Sequence, residues 1–316
     1  MNVLRYLHRA VGKFHRTLGH ISGDAQAPPT YEFSLPSPHA LQCARSIRGA
    51  DRQPAIFIHG MLRRSGTNFI GELLRLHPDI SAYPHNIYEV PFLGTTERLM
   101  DVQNAFFDGY KRNREQVGAC DFLPLFGSAL LAYLHAYIPG DKQLLLKVPG
   151  VEQLHHFFSV FPNEKLLILM RDGRDLVQST IKTWPQRDFA AVCRQWDESA
   201  RSIMDFADRF DAESHRFLIV RYEDAVKDPH QFMSRVGAHL GLDMQRFPYP
   251  ELEKIPVKGS SALKQDSKMT WKPIQKPSDF NPVGRWAAWD NKAKATFKKI
   301  CGRTIVKTGY CPDLNW

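Results

Sequence analysis

Pro54-Ala55-Ile56-Phe57-Ile58-His59-Gly60-Met61-Leu62-Arg63-Arg64-Ser65-Gly66-Thr67-Asn68 runs from an apolar stretch straight into a cationic, glycine-bearing turn. Residues 54–59 read as a buried strand, because a short apolar run closed by turn residues suits a sheet covered on both faces. Residues 68–76 read as a helix with Phe69, Ile70, Leu73 and Leu74 on one side. The turn between them sets backbone N–H groups and arginine side chains at a helix N-terminus, where unpaired amides and the macrodipole favour an anion. The same order recurs downstream. Lys165-Leu166-Leu167-Ile168-Leu169-Met170 leads into Arg171-Asp172-Gly173-Arg174-Asp175, and a helical pattern occupies 174–183. Two such corners predict a ligand with two separate phosphate-bearing ends.

Outward from these corners, strand and helix patterns alternate. Residues 143–148 read as a strand, 151–160 as a helix, 217–220 as a short strand before Arg221-Tyr222-Glu223-Asp224, and 229–240 as a helix. Alternation of this kind predicts an α/β fold, a mainly parallel sheet flanked by helices. In such sheets ligands sit at the carboxyl ends of the strands, where both cationic tracts fall. Residues 54–316 are expected to form this domain. Residues 1–53 are expected to supply an amphipathic helix and an irregular linker. Leu4, Leu7, Val11, Phe14 and Leu18 keep helical spacing with Arg5, Arg9, Lys13 and Arg16 between them. Such a helix docks on its own domain or lies peripherally on an acidic membrane. Gly23, Pro28, Pro29, Pro36 and Pro38 mark residues 22–40 as an irregular connection.

The 316 residues carry 42 Lys plus Arg against 33 Asp plus Glu, a net charge of +9 that suits an anionic ligand, nucleic acid or an acidic membrane surface. The aromatic residues form no stacking platform, so no nucleic-acid partner is expected. Cys43, Cys120, Cys193, Cys301 and Cys311 are scattered and show no Cys-x-x-Cys spacing for zinc or redox chemistry. A reduced compartment is the simpler expectation, with a Cys301–Cys311 bridge as its alternative in an oxidising lumen. No run approaches the roughly 20 apolar residues of a membrane span, and a cytoplasmic location is expected.

The first corner departs from a nucleotide P-loop in two ways. A Walker loop has four residues between its glycines and then Lys-Ser/Thr; here five separate Gly60 from Gly66, and Thr67-Asn68 come next. A missing lysine and magnesium-binding hydroxyl weaken a kinase or other nucleotide phosphotransferase reading, which stands as one alternative. A non-catalytic binder of adenosine bisphosphate is the other. Arg-Ser-Gly-Thr after a strand, with a helix ending in Leu76-His77-Pro78-Asp79, resembles the 5′-phosphosulfate loop of sulfotransferases that use 3′-phosphoadenosine 5′-phosphosulfate. The likeness is to the tyrosylprotein-sulfotransferase-like and bacterial branch. It implies that Arg63, Arg64, Ser65, Gly66, Thr67 and Asn68 hold the sulfuryl and 5′-phosphate oxygens.

In that family a strand-ending arginine and a serine eight residues later bind the 3′-phosphate, and Arg171 and Ser179 match that pair. Val220-Arg221-Tyr222-Glu223-Asp224 resembles the family's Arg-Tyr-Glu-Asp strand end, implying a nucleotide contact for Tyr222 and a structural hydrogen bond for Glu223. Lys258-Gly259-Ser260-Ser261 and Lys272-Pro273 resemble its late nucleotide-covering loop, implicating Ser260, Ser261 and Lys272. Gly284-Arg285-Trp286 resembles the signature after that loop and reads as a packed tryptophan under a helix start. The likeness runs from about residue 54 to 290.

Sulfuryl transfer to a hydroxyl or amine needs placement, charge stabilisation and a base, and in this family no metal. Arg64 and Lys147 are the candidates for charge stabilisation. His85 and Glu89, in the loop after the first helix, are the candidate bases, since an imidazole titrates near neutrality and a carboxylate stands four residues on. The acceptor-shaping stretch 91–140 carries no motif. Its aromatics Phe106, Phe107, Tyr110, Phe122, Phe126, Tyr133 and Tyr137 are expected mainly in the core.

Overall fold

Five strands make one sheet: β1 (Ile56–Gly60), β2 (Ile80–Ala82), β3 (Gln143–Val148), β4 (Lys165–Met170) and β5 (Phe217–Arg221), in the order β2-β3-β1-β4-β5. All four pairings are parallel. The computed structural model describes residues 35–49, 51–83, 89–110, 112–210, 216–261, 263–265, 268–269 and 272–316. The predicted amphipathic segment 3–18, with its proposed membrane contact, and most of the 22–40 connection lie outside these residues, as does His85.

The central strand is buried along its whole length. Its side chains alternate between two layers, as a pleated strand requires. Ile56 and Ile58 join the core with helix α2 (Thr67–Arg75) and helix α8 (Pro229–Leu240). Phe57 and His59 enter an aromatic layer, with the Phe57 ring 5.2 Å from Phe157 and 4.5 Å from Phe161. Burial on both faces explains why the strands read as unbroken apolar runs. Burial drops the pKa of His59 to about 4 and holds the ring neutral, even though the Nδ1–H donated to the Gly150 carbonyl at 2.9 Å opposes that shift.

Among the described residues, the other α-helices longer than four residues are α1 (Pro38–Arg48), α3 (Thr96–Gly109), α4 (Phe122–His135), α5 (Gly173–Thr183), α6 (Phe189–Arg209), α7 (Tyr222–Lys227) and α9 (Asn291–Lys307). Four of the helices start on an aspartate cap. Asp172, Asp188, Asp228 and Asp290 each accept an amide of the first turn of α5, α6, α8 and α9. Helix α1 lies where the sequence reading places a linker. Ser37 caps it, Pro38 opens it, and it packs on α4, while Ser37 N–H and Oγ–H bond the Asp121 carboxylate at 2.7 and 2.8 Å. Its last residue, Arg48, forms a buried 2.9 Å ion pair with Glu164, which also accepts the amide of Ala55 at the entrance to β1.

The helix expected over 151–160 is instead a 3-10 turn, Leu154–His156, and a single turn, Phe157–Val160. Gln153, at φ 57°, blocks continuous helix, and packing of Phe157 and Phe161 on β1 holds the single turn against the sheet. Among the aromatics of 91–140, only Phe107 is buried; Phe106, Tyr110, Tyr133 and Tyr137 are exposed and Phe122 and Phe126 partly so. The core expectation for them is corrected, because α3 and α4 turn these rings away from their buried faces.

Strand order locates the site. From β1 the chain passes outward to β2 on one side, and from β4 it passes outward to β5 on the other. The loops after β1 and β4 therefore part, leaving a crevice at the carboxyl ends of two adjacent strands. Both cationic tracts lie there.

Candidate active site

The first corner leaves the sheet still attached to β4, since Met61 N–H donates to the Leu169 carbonyl at 3.1 Å. It then closes on itself. Ser65 Oγ accepts the Leu62 amide at 2.9 Å and donates to the Leu62 carbonyl at 2.5 Å. Arg64 and Gly66 sit at φ 78° and 102°, left-handed backbone that side chains adopt at a cost. At Gly66 the requirement is double, because an added Cβ would meet the Tyr222 ring at 2.3 Å. Helix α2 starts at Thr67, so the amides of its first turn have no partner within the helix.

The second corner is built from side chains. Arg171 is 5% exposed; its Nη1 donates to the Arg64 carbonyl at 2.7 Å and its Nη2 to the Pro282 carbonyl at 2.9 Å. Its guanidinium lies 4.3 Å over the Tyr222 ring, and its buried Nε has no hydrogen-bond partner among the described residues. Asp172 caps α5 and holds Arg174 at 2.7 Å. Behind them, Trp196 donates to the Arg171 carbonyl at 3.1 Å and Glu223 accepts the Asp172 amide at 2.9 Å. Glu223 thus takes a structural bond, and burial raises its carboxyl to about 7.

Ser179 stands two turns along α5, its Oγ 3.1 Å from the Ser261 Oγ of the late loop. Arg64 joins the corners. Its backbone belongs to the first, while its Nε donates to Ser179 Oγ at 3.1 Å and its Nη2 to the Gly259 carbonyl at 2.6 Å. Burial foremost, and then Arg171, lowers its pKa to about 10, so it stays cationic at neutral pH.

A cavity of about 310 Å³ joins these parts. From the first corner Arg63, Arg64, Gly66, Thr67 and Asn68 line it, and from elsewhere Arg171, Ser179, Tyr222, Ser260 and Glu89. Ser65 is buried with its hydroxyl turned into its own loop, and Ser261 is buried behind Ser179. Lys147, at the end of β3, is half-buried; burial lowers its pKa, and the nearby Glu89 and Glu72 charges oppose that shift. Glu89 is kept beside it by the Val90 amide, which donates to the Lys147 carbonyl at 3.3 Å. Lys272 is exposed and is not among the lining residues, whereas Lys276 is.

Sequence reading misses Glu72, Arg285 and the apolar wall of Trp184, Leu252, Ile255 and Phe280, all of which line the cavity. Glu72 pairs with Lys258 at 3.0 Å and was findable, since it lies four residues from Asn68 on the same helix face. The apolar wall comes from four separate places in the chain and carries no local pattern. No helix among the described residues is long and apolar enough to cross a membrane.

Residues 54–246 match the model of the sulfotransferase family, a span that holds all five strands and both corners. Protein-tyrosine sulfotransferase A of Caenorhabditis elegans is 26% identical over 298 residues, covering 89% of this chain and 74% of that protein. Protein-tyrosine sulfotransferase 1 of Danio rerio is 22% identical over 273 residues, covering 83% and 74%. Among solved structures, the sulfotransferase domain from the curacin biosynthetic pathway is 18% identical with a TM-score of 0.48, covering 80% of this chain and 98% of that one. A mouse sulfotransferase complexed with PAP is 15% identical with a TM-score of 0.45, covering 88% and 92%. With more than half of its length matched by the family model, and with the strand ends and cationic corners inside that match, the chain belongs to the sulfotransferase family.

Proposed function

We propose that the cleft binds 3′-phosphoadenosine 5′-phosphosulfate across its two corners and that the protein transfers the sulfuryl group to a hydroxyl or amine of an acceptor, without a metal. The observation that carries this reading is the joining of the corners. Two anion-binding turns from adjacent strands open into one cavity, and Arg64 bridges them. The donor set fits such a nucleotide: open amides and the Asn68 side chain at one end, a buried arginine with a spare N–H and a serine pair at the other. Apolar and aromatic side chains also line the cavity and suit a base.

When bound, the nucleotide supplies an activated sulfuryl group; the protein supplies placement and charge. Thr67, Asn68 and the first-turn amides of α2 hold the 5′ end, and Arg171 and Ser179 the 3′ end. Ser260 and Ser261 close the late loop over the cleft. Lys147 and Arg64 stabilise charge that builds on sulfuryl and bridging oxygens. Lowered by burial, Lys147 is also a readier proton donor to a departing phosphate than an exposed lysine. Glu89, which lines the cavity beside Lys147, takes the acceptor proton, and His85 is tested against it. Similarity to protein-tyrosine sulfotransferases makes tyrosine peptides the first acceptors to try, ahead of sugars, lipids and small phenols.

The test is transfer of radiolabelled sulfate from the donor nucleotide to an acceptor panel, with and without chelator. Labelled product that is indifferent to chelator, lost in Glu89→Gln and kept in His85→Gln, is the expected result. Magnesium-dependent turnover of ATP would support the kinase alternative instead, and tight bisphosphate binding with no transfer to any acceptor would support the non-catalytic binder.

A further inference from the structure

We propose that residues 308–316, the segment after α9, form a strap behind the second corner that keeps the Asp172 carboxylate away from Arg171, with Arg174, Trp286 and Trp316 as its positioning residues. The inference rests on the nucleotide reading above, because its consequence is felt at the 3′-phosphate. It starts from two motif arginines that the cleft leaves unused. Arg174 and Arg221 belong to the tracts at the ends of β4 and β5, yet neither lines the cavity. Both grip the strap instead. Arg221 donates from Nη2 to the Thr308 carbonyl at 2.7 Å and from Nη1 to the Gly309 carbonyl at 3.3 Å, and its guanidinium lies 4.7 Å from the Tyr310 ring. Arg174 donates from Nη2 to the Tyr310 carbonyl at 3.2 Å.

The other contacts of Arg174 show what this grip controls. Its Nε donates to Asp172 Oδ1 and Oδ2 at 3.0 and 3.2 Å, and its Nη2 to Oδ2 at 2.7 Å. The same guanidinium lies 4.1 Å from the Trp286 ring and 4.8 Å from Trp316, two rings that meet edge to face with their centroids 4.8 Å apart. Each ring is anchored separately. Asp175 accepts the Trp286 amide at 3.3 Å, while Trp316 packs 6.0 Å from the Phe297 ring with Lys298 Nζ 4.6 Å from its own. An ion pair whose side chains are only 7% and 9% exposed is a poor source of stability, since both charges have given up water. Its use here is placement. Asp172 directly follows Arg171, whose buried Nε has no hydrogen-bond partner among the described residues. A carboxylate released at this point would pair with that guanidinium or repel an incoming phosphate, and either weakens anion binding. Arg174 neutralises Asp172 in its place as the cap of α5, and the strap holds Arg174.

Calorimetric titration of adenosine 3′,5′-bisphosphate and adenosine 5′-monophosphate into the full chain reads the effect. Trp316→Ala should weaken the bisphosphate roughly 5- to 20-fold, as for one carboxylate newly opposed to a phosphate, and change the monophosphate by less than about 2-fold. Trp316→Phe should recover most of the loss. Adding Asp172→Asn to Trp316→Ala should recover it as well, because the amide still caps α5 and carries no charge to compete. Arg174→Gln, which leaves both tryptophans in place, should show the same selective loss and the same recovery with Asp172→Asn. Equal weakening of both nucleotides, an unchanged bisphosphate affinity, or a further loss where Asp172→Asn should restore binding would overturn the strap while leaving the nucleotide reading intact. A wild-type chain that binds neither nucleotide would overturn both.

Discussion

In the proposed reading, the donor end and the acceptor end of the cleft are built by different means. At the donor end the polar groups of the second corner are placed by others: Arg171 by the Arg64 and Pro282 carbonyls, Ser179 by Ser261, and the Gly284–Trp286 turn by Asp175. At the acceptor end Glu89 is exposed and Lys147 answers mainly to its burial and to two neighbouring carboxylates. In the proposed reading the nucleotide is met by cross-tied side chains, and the acceptor by residues with fewer ties among the described residues.

That contrast is testable by perturbing each end separately. The largest effect is expected at the acceptor end. Lys147→Met should lower turnover about 100- to 1,000-fold, in the range for removal of one group that stabilises transition-state charge. Its bisphosphate affinity should stay near wild type, as measured by calorimetry, and a parallel loss of binding would erase the distinction between the ends. At the donor end, Gly66→Ala should cost about 3 kcal/mol of stability, combining a strained left-handed backbone with a clash against Tyr222. Denaturant unfolding reads this directly, and a cost under about 1 kcal/mol would show that the corner is pliable.

A smaller effect is expected from the half-buried Glu223 beneath the second corner. Its carboxyl is raised to about 7, so the fold keeps the proton where the unfolded chain has already released it. The stability this contributes is present below the ordinary carboxylate range and is lost as pH rises through about 7. Relative to Glu223→Gln, the wild type should lose about 2 kcal/mol between pH 5 and pH 8. Parallel stability–pH curves for the two proteins would contradict the raised carboxyl. The smallest change is expected for Ser261→Ala, about 1 kcal/mol of bisphosphate affinity, as for one neutral hydrogen bond.

Legibility in the sequence obeyed the same division. The strands that flank the crevice were readable to within a residue or two, because residues buried on both faces leave unbroken apolar runs. Arg171 and Ser179 were readable because a strand end and two turns of helix fix their separation. The short edge strand Ile80–Ala82 and the long helix Phe189–Arg209 were not assigned; three residues carry no period, and the apolar positions of the helix are interleaved with charge. Arg285 was read only as part of a packing turn, because its partners, Asp175 and Ser261, lie 110 and 24 residues away in the chain. Lys272 and Lys276 each precede a proline, and only the folded chain separates the one that lines the cavity from the one that does not. The loop after the first helix gave two candidate bases because no sequence motif singles out either.

Everything proposed for the cleft depends on one nucleotide spanning both corners. The decisive measurement is calorimetry with adenosine 3′,5′-bisphosphate, adenosine 5′-monophosphate and adenosine 3′-monophosphate, on wild type and Arg171→Ala. Deleting either phosphate should weaken wild-type binding at least about 10-fold, and Arg171→Ala should weaken only the two ligands that carry a 3′-phosphate. Equal affinity for all three ligands, or a loss in Arg171→Ala that extends to the 5′-monophosphate, would contradict a shared nucleotide.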